Sequence, residues 1–248
     1  MRKFYLSTID EHAHTLAQQY GLGIEIAEFC TPWFLDTDFE KIDPVIREKL
    51  ACADSFALHA PFSELFPCAI DPKVREVAAE RYRQVIQIAA SYGIRKIVVH
   101  GGYNPRIYFP VWYTEQSVLF WKDFLQEIPE DTVFCLENVF EEEPAMLTQI
   151  VRQVNDPRLR MCLDVGHVNA YSKLPVMDWL ESCWDITEHF HIHNNDTVRD
   201  AHGQLMDGTV PMEQLLTAIR KRCPRATLTL ELMDGAPSVK WLKEKGWI

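Results

Sequence analysis

Residues 134–140, FCLENVF, and 161–167, MCLDVGH, each carry a short apolar run to a single acid, Glu137 in the first and Asp164 in the second. Four more runs have the same form: FALHAPF (56–62), IVVHGGY (97–103), FHIHNND (190–196) and LTLELMD (228–234). They reach His59, His100, His193 and Glu231. Successive positions lie 41, 37, 27, 29 and 38 residues apart, each close to one strand plus one helix. Side chains so distant converge only where parallel strands lie side by side with their C-terminal ends on one face. That is the geometry of an α/β barrel, whose catalytic groups come from the ends of several strands.

Outward from these runs the same alternation fills the chain. Strands are predicted near Lys3–Ser7, Gly23–Phe29, Ser55–Pro61, Lys96–Gly101, Thr132–Asn138, Leu159–Val165, His189–Asn194 and Ala226–Leu232. Helical stretches separate them. The clearest, DPKVREVAAERYRQVIQIAASYG (71–93), opens on Asp-Pro, repeats apolar residues at three and four, and closes on Gly93. VPMEQLLTAIRKRC (210–223) is another, with basic residues in its last turn. Eight strands alternating with a similar number of helices predict an α/β fold, one (β/α)8 TIM barrel spanning residues 1–248 as a single domain. Residues two apart on a strand share a face. Counting back from each acid or imidazole gives Ala57, Val98, Cys135, Cys162 and Thr229, a small set suited to a barrel lumen. The other face carries Leu58, Val99, Leu136, Leu163 and Leu230, suited to the layer under the helices. All six candidates therefore point inward at one end.

Composition narrows the function classes. Of 248 residues, 47% are hydrophobic and 25% charged, as in an ordinary globular protein, and no run approaches the apolar length of a membrane span. The start, MRKFYLSTIDEHAH, has no secretory h-region, so a cytoplasmic location is expected. Seven cysteines without a CxxC pair argue against a zinc ribbon or a disulfide framework. A net charge of −11 gives no long-range attraction to a phosphate backbone or an anionic membrane, which makes nucleic acid a poor partner. A homo-oligomer is compatible with the sequence.

Glu137, Asp164, His193 and Glu231 bring three carboxylates and one imidazole from four consecutive strand ends. Hard oxygen donors with one nitrogen suit Mn²⁺, Mg²⁺ or Zn²⁺. His59 and His100 add imidazoles from the two preceding strands. His167, Asp200 and His202 form a third set, and so much imidazole tilts the metal toward zinc. Structural alternatives stand beside each assignment: strand-end acids held by lysines or arginines for Glu137 and Glu231, an Asp–His pair for Asp164 and His193, substrate or capping contacts for His59 and His100, and a loop-ordering network or substrate contact for His167, Asp200 and His202. His189 and His191 share the face of His193 but lie deeper, so they read as core histidines. His12 and His14 read as residues of a solvated helix.

The motifs HAPF, VVHGG, LENV, CLDVGH, HIHNND, DAHGQLMDG and LEL, in that order over nearly the whole chain, resemble the metal motifs of the xylose isomerase-like barrel superfamily. That superfamily holds sugar isomerases and epimerases, inosose-processing enzymes and the endonuclease IV family. The resemblance implies that Glu137, Asp164, His193 and Glu231 form the shared metal quartet. In the endonuclease branch, positions matching His59 and His100 bind a second zinc bridged by Glu137, and those matching His167, Asp200 and His202 bind a third. The loop CTPWFLDTDFEKID (30–43) is acidic and aromatic where a DNA-contacting loop should be basic, and YNPRIYFPVWYTEQ (103–116) has a single arginine.

The expected activity is therefore that of a metal-dependent isomerase or epimerase of a small sugar, keto-sugar or polyol-derived compound, working through an enediolate with one to three Zn²⁺ or Mn²⁺ ions. Glu137 and Glu231 would exchange the proton, as the resemblance implies, and His167 would bind a substrate hydroxyl. Trp33, Phe34, Tyr103 and Trp112 would wall the substrate, or else pack loop against barrel. The alternative is a phosphodiesterase with two or three zinc ions. A third reading, a degenerate barrel used as a binding module, leaves no reason to bury three carboxylates together.

Overall fold

Main-chain pairing closes eight parallel strands into a barrel in sequence order, each hydrogen-bonded to the next and the last to the first. The computed structural model describes residues 3–248. Its elements run β1 (Phe4–Ser7), α1 (Ala13–Tyr20), β2 (Gly23–Ile26), α2 (Trp33–Asp36), α3 (Phe39–Leu50), β3 (Phe56–His59), α4 (Pro72–Ser91), β4 (Lys96–His100), α5 (Pro110–Phe124) and β5 (Val133–Glu137). There follow α6 (Ala145–Val154), β6 (Leu159–Asp164), α7 (Val165–Tyr171), α8 (Val176–Cys183), β7 (Thr187–Ile192), α9 (Met212–Arg222), β8 (Thr227–Leu230) and α10 (Ala236–Glu244). The TIM barrel expected from the spacing is the fold. Among the described residues no helix is long and apolar enough to cross a membrane.

The parity reading holds at the level of packing. Val98, Cys135 and Cys162 form a small buried cluster of their own with Val133 against it, the lumen side of β4, β5 and β6. Leu58, Val99, Leu136, Leu163 and Leu230 belong to the large core between sheet and helices. The helix at 71–93 is α4: Asp71 caps it by accepting the Lys73 amide, Pro72 opens it, and Gly93 leaves it at φ +71°.

Two stretches differ from the sequence reading. The second strand stops at Ile26 rather than Phe29, because residues 28–30 turn into a 3₁₀ helix. The segment 30–43, read as a loop, is mostly α2 and the start of α3; its mixed aromatic and acidic pattern hides the helical period. His12 is exposed just ahead of α1 and His14 is half-buried within it.

Behind the mouth, Glu141 is buried after β5. Burial pushes its carboxyl up, against the Val139 amide at 2.7 Å and the Tyr113 hydroxyl at 2.9 Å, both of which donate to it. Tyr113→Phe leaves that buried oxygen short of a donor and is expected to cost about 1–3 kcal/mol of stability, read by denaturant unfolding. An unchanged midpoint would show that the hydroxyl contributes nothing.

Candidate metal centre at the barrel mouth

Backbone contacts set the imidazoles before any charge is considered. His59 Nδ1 lies 2.8 Å from the Ala60 carbonyl, His167 Nδ1 2.9 Å from that of Asn138, and His202 Nδ1 2.8 Å from that of Glu231. A carbonyl only accepts, so each Nδ1 carries a hydrogen and, in the neutral ring, Nε2 is left as a lone pair. Those lone pairs face acids. His59 Nε2 is 3.2 Å from Glu137, and the Nε2 atoms of His167 and His202 are 3.2 and 3.0 Å from Asp200 Oδ2. A lone pair held against a carboxylate is repulsive unless a cation, proton or metal, lies between them.

His193 makes the case more sharply. Its Nε2 is 3.1 Å from Asp164 Oδ2, and its Nδ1 faces Asp200 Oδ1 at 3.6 Å. Both Nδ1 and Oδ1 are buried with no hydrogen-bond partner. Orphaned buried polar atoms are rare in native proteins. Two of them, an acid and an imidazole, facing each other fit a divalent cation held between oxygen and nitrogen donors.

Ligand-type atoms of Glu137, Asp164, His191 and Glu231 all lie within 4.8 Å of one another, as do those of His167, Asp200 and His202, and of His193, His202 and Glu231. His100 Nε2 reaches Glu137 Oε2 at 3.2 Å. All nine sequence-predicted ligand positions therefore meet at one end of the barrel. Burial alone would raise the Glu137 and Glu231 carboxyls. Positive charge at His191, joined at Glu137 by His100, holds Glu137 well below the usual range and Glu231 at about 2. Burial lowers His167 and His202, yet Asp164 and Asp200 raise the first to about 10, and Asp200 and Glu231 raise the second to about 9.

Asparagines fix the loops that carry these groups. Asn138 exchanges two hydrogen bonds of 2.9 Å with the backbone of Asp164, tying the end of β5 to that of β6. Asp164 caps α7 through the His167 amide at 2.6 Å, which sets the i, i+3 spacing of acid and imidazole. Asn194 donates to the Leu205 and Val210 carbonyls and so folds the long segment after β7 over the mouth.

The profile of the xylose isomerase-like TIM barrel family matches residues 16–248. The chain belongs to that family. An uncharacterised protein of Methanocaldococcus jannaschii is 27% identical over 204 residues, 75% of this chain and 68% of the relative. A probable endonuclease 4 of Ureaplasma parvum is 30% identical over 127 residues, 47% of this chain and 40% of the relative. Among solved structures, a D-tagatose 3-epimerase-like protein superposes with a TM-score of 0.77 at 21% identity, covering 98% of this chain and 96% of that one. A Thermus thermophilus protein soaked with zinc chloride gives 0.76 at 24% identity, covering 98% and 97%. At these identities the structures share the fold.

Against this xylose isomerase-like frame, two lumen residues stand out that the sequence reading did not place at the site. His191, read as a core histidine, is fully buried, but its Nδ1 is 3.0 Å from Glu137 and 3.2 Å from Glu231. Glu25, a single acid in GIEI, lies beneath it. The signal for both was parity: each shares the inward face. The aromatic residues divide. Tyr103 is nearly buried and lines a cleft with Phe62, Phe66, His100 and Phe140. Trp112 packs against the core and donates its indole N–H to the Cys68 carbonyl at 2.9 Å, the loop-packing alternative. Phe34 also packs on the core. Trp33, 66% exposed, lines a shallow depression with Pro32, Asp36 and Arg81, where none of the site imidazoles lies.

Proposed function

We propose that this member of the xylose isomerase-like family is a divalent-metal-dependent isomerase or epimerase of a small sugar, keto-sugar or polyol-derived substrate. The observation that carries the reading is the pair of glutamates, Glu137 from β5 and Glu231 just past β8, whose carboxylates share one site with Asp164. Glu137, Asp164, His193 and Glu231 would hold the principal ion, with His59 and His100, or His167, Asp200 and His202, able to hold others. A divalent cation there supplies Lewis acidity toward a carbonyl or hydroxyl oxygen. The residues do the rest. One glutamate takes the proton from the carbon beside the carbonyl, the C–H pair passes into an enediolate, and the other returns a proton to carbon. Both acids are held ionised by His191. The side chain of Glu231 keeps 15% exposure against 1% for Glu137, so Glu231 is the more accessible of the two acids. His167, with Nδ1 engaged by the Asn138 carbonyl, presents Nε2 toward Asp200 and a substrate hydroxyl.

A second reading, phosphodiester hydrolysis with two or three zinc ions, is favoured by one observation: the full set of nine ligand-type residues, His100 among them through Glu137, alongside partial similarity to a probable endonuclease 4. The net charge of −11 weighs against it.

Metal analysis of the purified protein, followed by assays on keto-sugars and on abasic DNA, separates the two. Proton exchange with solvent at the substrate carbon is expected for the first reading; nicking of abasic DNA without it would replace that reading with the second. Adding Zn²⁺ or Mn²⁺ at about 100 to 1,000 times Kd to chelator-treated protein is expected to add about 3–4 kcal/mol. For a chain of this size that raises Tm by about 6–16 °C in a thermal scan. An unmoved Tm would count against any metal centre.

A further inference from the structure

Beside the small apolar cluster of Val98, Cys135 and Cys162, the lumen below the proposed metal centre carries a polar column built largely from β2, β7 and β8. Lys96 Nζ, on β4, donates to Thr227 Oγ1 at 2.7 Å, and Thr227 Oγ1 lies 2.6 Å from His189 Nδ1. His189 Nε2 is 2.8 Å from Glu25 Oε2, which also accepts the Thr229 hydroxyl at 2.5 Å. Glu25 Oε1 is 3.0 Å from His191 Nε2, and His191 Nδ1 is 3.0 Å from Glu137 Oε1. Glu25, His189, His191 and Thr229 are all at most 1% exposed.

His191 differs in one respect from His59, His167 and His202. Neither of its ring nitrogens meets a backbone carbonyl; both face carboxylates, Glu25 on one side and Glu137 with Glu231 on the other. Its orientation is therefore set by carboxylates rather than by the main chain, and Glu25 is the one that holds it from below. Glu25 is itself held in place, with both oxygens engaged by imidazoles and a threonine. We propose that Glu25 and His191 are a positioning pair for the metal centre: Glu25 orients the His191 ring, and the ring fixes Glu137 and Glu231 relative to each other from below. The pair ranks as positioning because it lies beneath the acids and does not reach the mouth. It rests on the metal-centre reading above and adds to it two residues that touch no substrate.

Outer-shell partners that orient ligands typically change metal affinity by about 10–100-fold when removed. The test is Zn²⁺ affinity measured by competition with a chromophoric chelator, on full-length wild-type protein and on Glu25→Gln. Glu25→Gln keeps the shape of the side chain but withdraws one carboxylate oxygen from the network. The expected result is a folded protein, by circular dichroism, with Zn²⁺ binding about 10–100-fold weaker. A purely structural role for Glu25 would lower Tm and leave affinity unmoved. Wild-type-like affinity in folded Glu25→Gln therefore overturns the pairing while leaving the metal centre intact. A wild-type protein that binds no Zn²⁺ overturns the metal-centre reading, and the pairing with it. Should Glu25→Gln not fold, Glu25→Asp, which keeps the charge and retracts it by one methylene, takes its place with the same expected loss.

Discussion

Glu137→Gln is expected to lower turnover by about four orders of magnitude. A positioned acid or base contributes about 10²–10⁴-fold by itself, and Glu137 also closes the site electrically. His59, His100 and His191 all approach its two oxygens at 3.0–3.2 Å. An amide in its place turns an acceptor-only group into one with N–H donors, and leaves three imidazoles sharing one weaker acceptor. Metal content should fall together with rate. Glu231→Gln, nearer the mouth, is expected to abolish turnover while retaining metal, since Asp164, His193 and Glu137 remain. Steady-state rates on a responsive keto-sugar, with metal content by mass spectrometry, check both. Normal turnover in either variant refutes the acid/base assignment.

The second large effect is steric. Gly166 follows Val165 in the first turn of α7, and a Cβ built there lands inside the ring of His193. A flexible surface side chain would swing aside. His193 cannot: it is fully buried, stacked on His202 with ring centroids 4.1 Å apart, and bound to Asp164. Gly166→Ala is therefore expected to cost about 1–3 kcal/mol as overpacking. It should also weaken metal binding by about 100-fold or more, since His193 is pushed off its acids. Chemical denaturation in chelator isolates the first effect, and competition titration the second. Wild-type affinity would place His193 outside the metal centre.

The parts legible in the sequence were those with a local signature. Period-two alternation ending on an acid or imidazole gave the strands, and the regular spacing gave closure, because both follow from backbone geometry that any single unit expresses. Parity correctly separated Cys135 and Cys162 from Leu136 and Leu163. What stayed hidden depends on register between strands. Asp164 pairs with His191, not His193, across the ladder of β6 and β7, where a bulge falls between Met161 and Cys162. Nothing in FHIHNND alone reveals that stagger. Glu25 escaped for a similar reason: its partners His189, His191 and Thr229 lie more than 160 residues away, and only the closed barrel brings them to it. Trp112, open between walling a substrate and packing loop against barrel, was undecided for the same reason: its indole N–H finds the Cys68 carbonyl only in the folded chain.

On the metal-centre proposal, the three carbonyl-anchored imidazoles bear on how an ion would be taken up. Ala60, Asn138 and Glu231 fix those rings through the main chain, so the cradle is assembled as soon as the polypeptide has folded. Capture of an ion by these three rings would then demand no remodelling of them. Which element occupies the cradle would follow the supply of free zinc and manganese around the protein as much as the shape of the cradle itself.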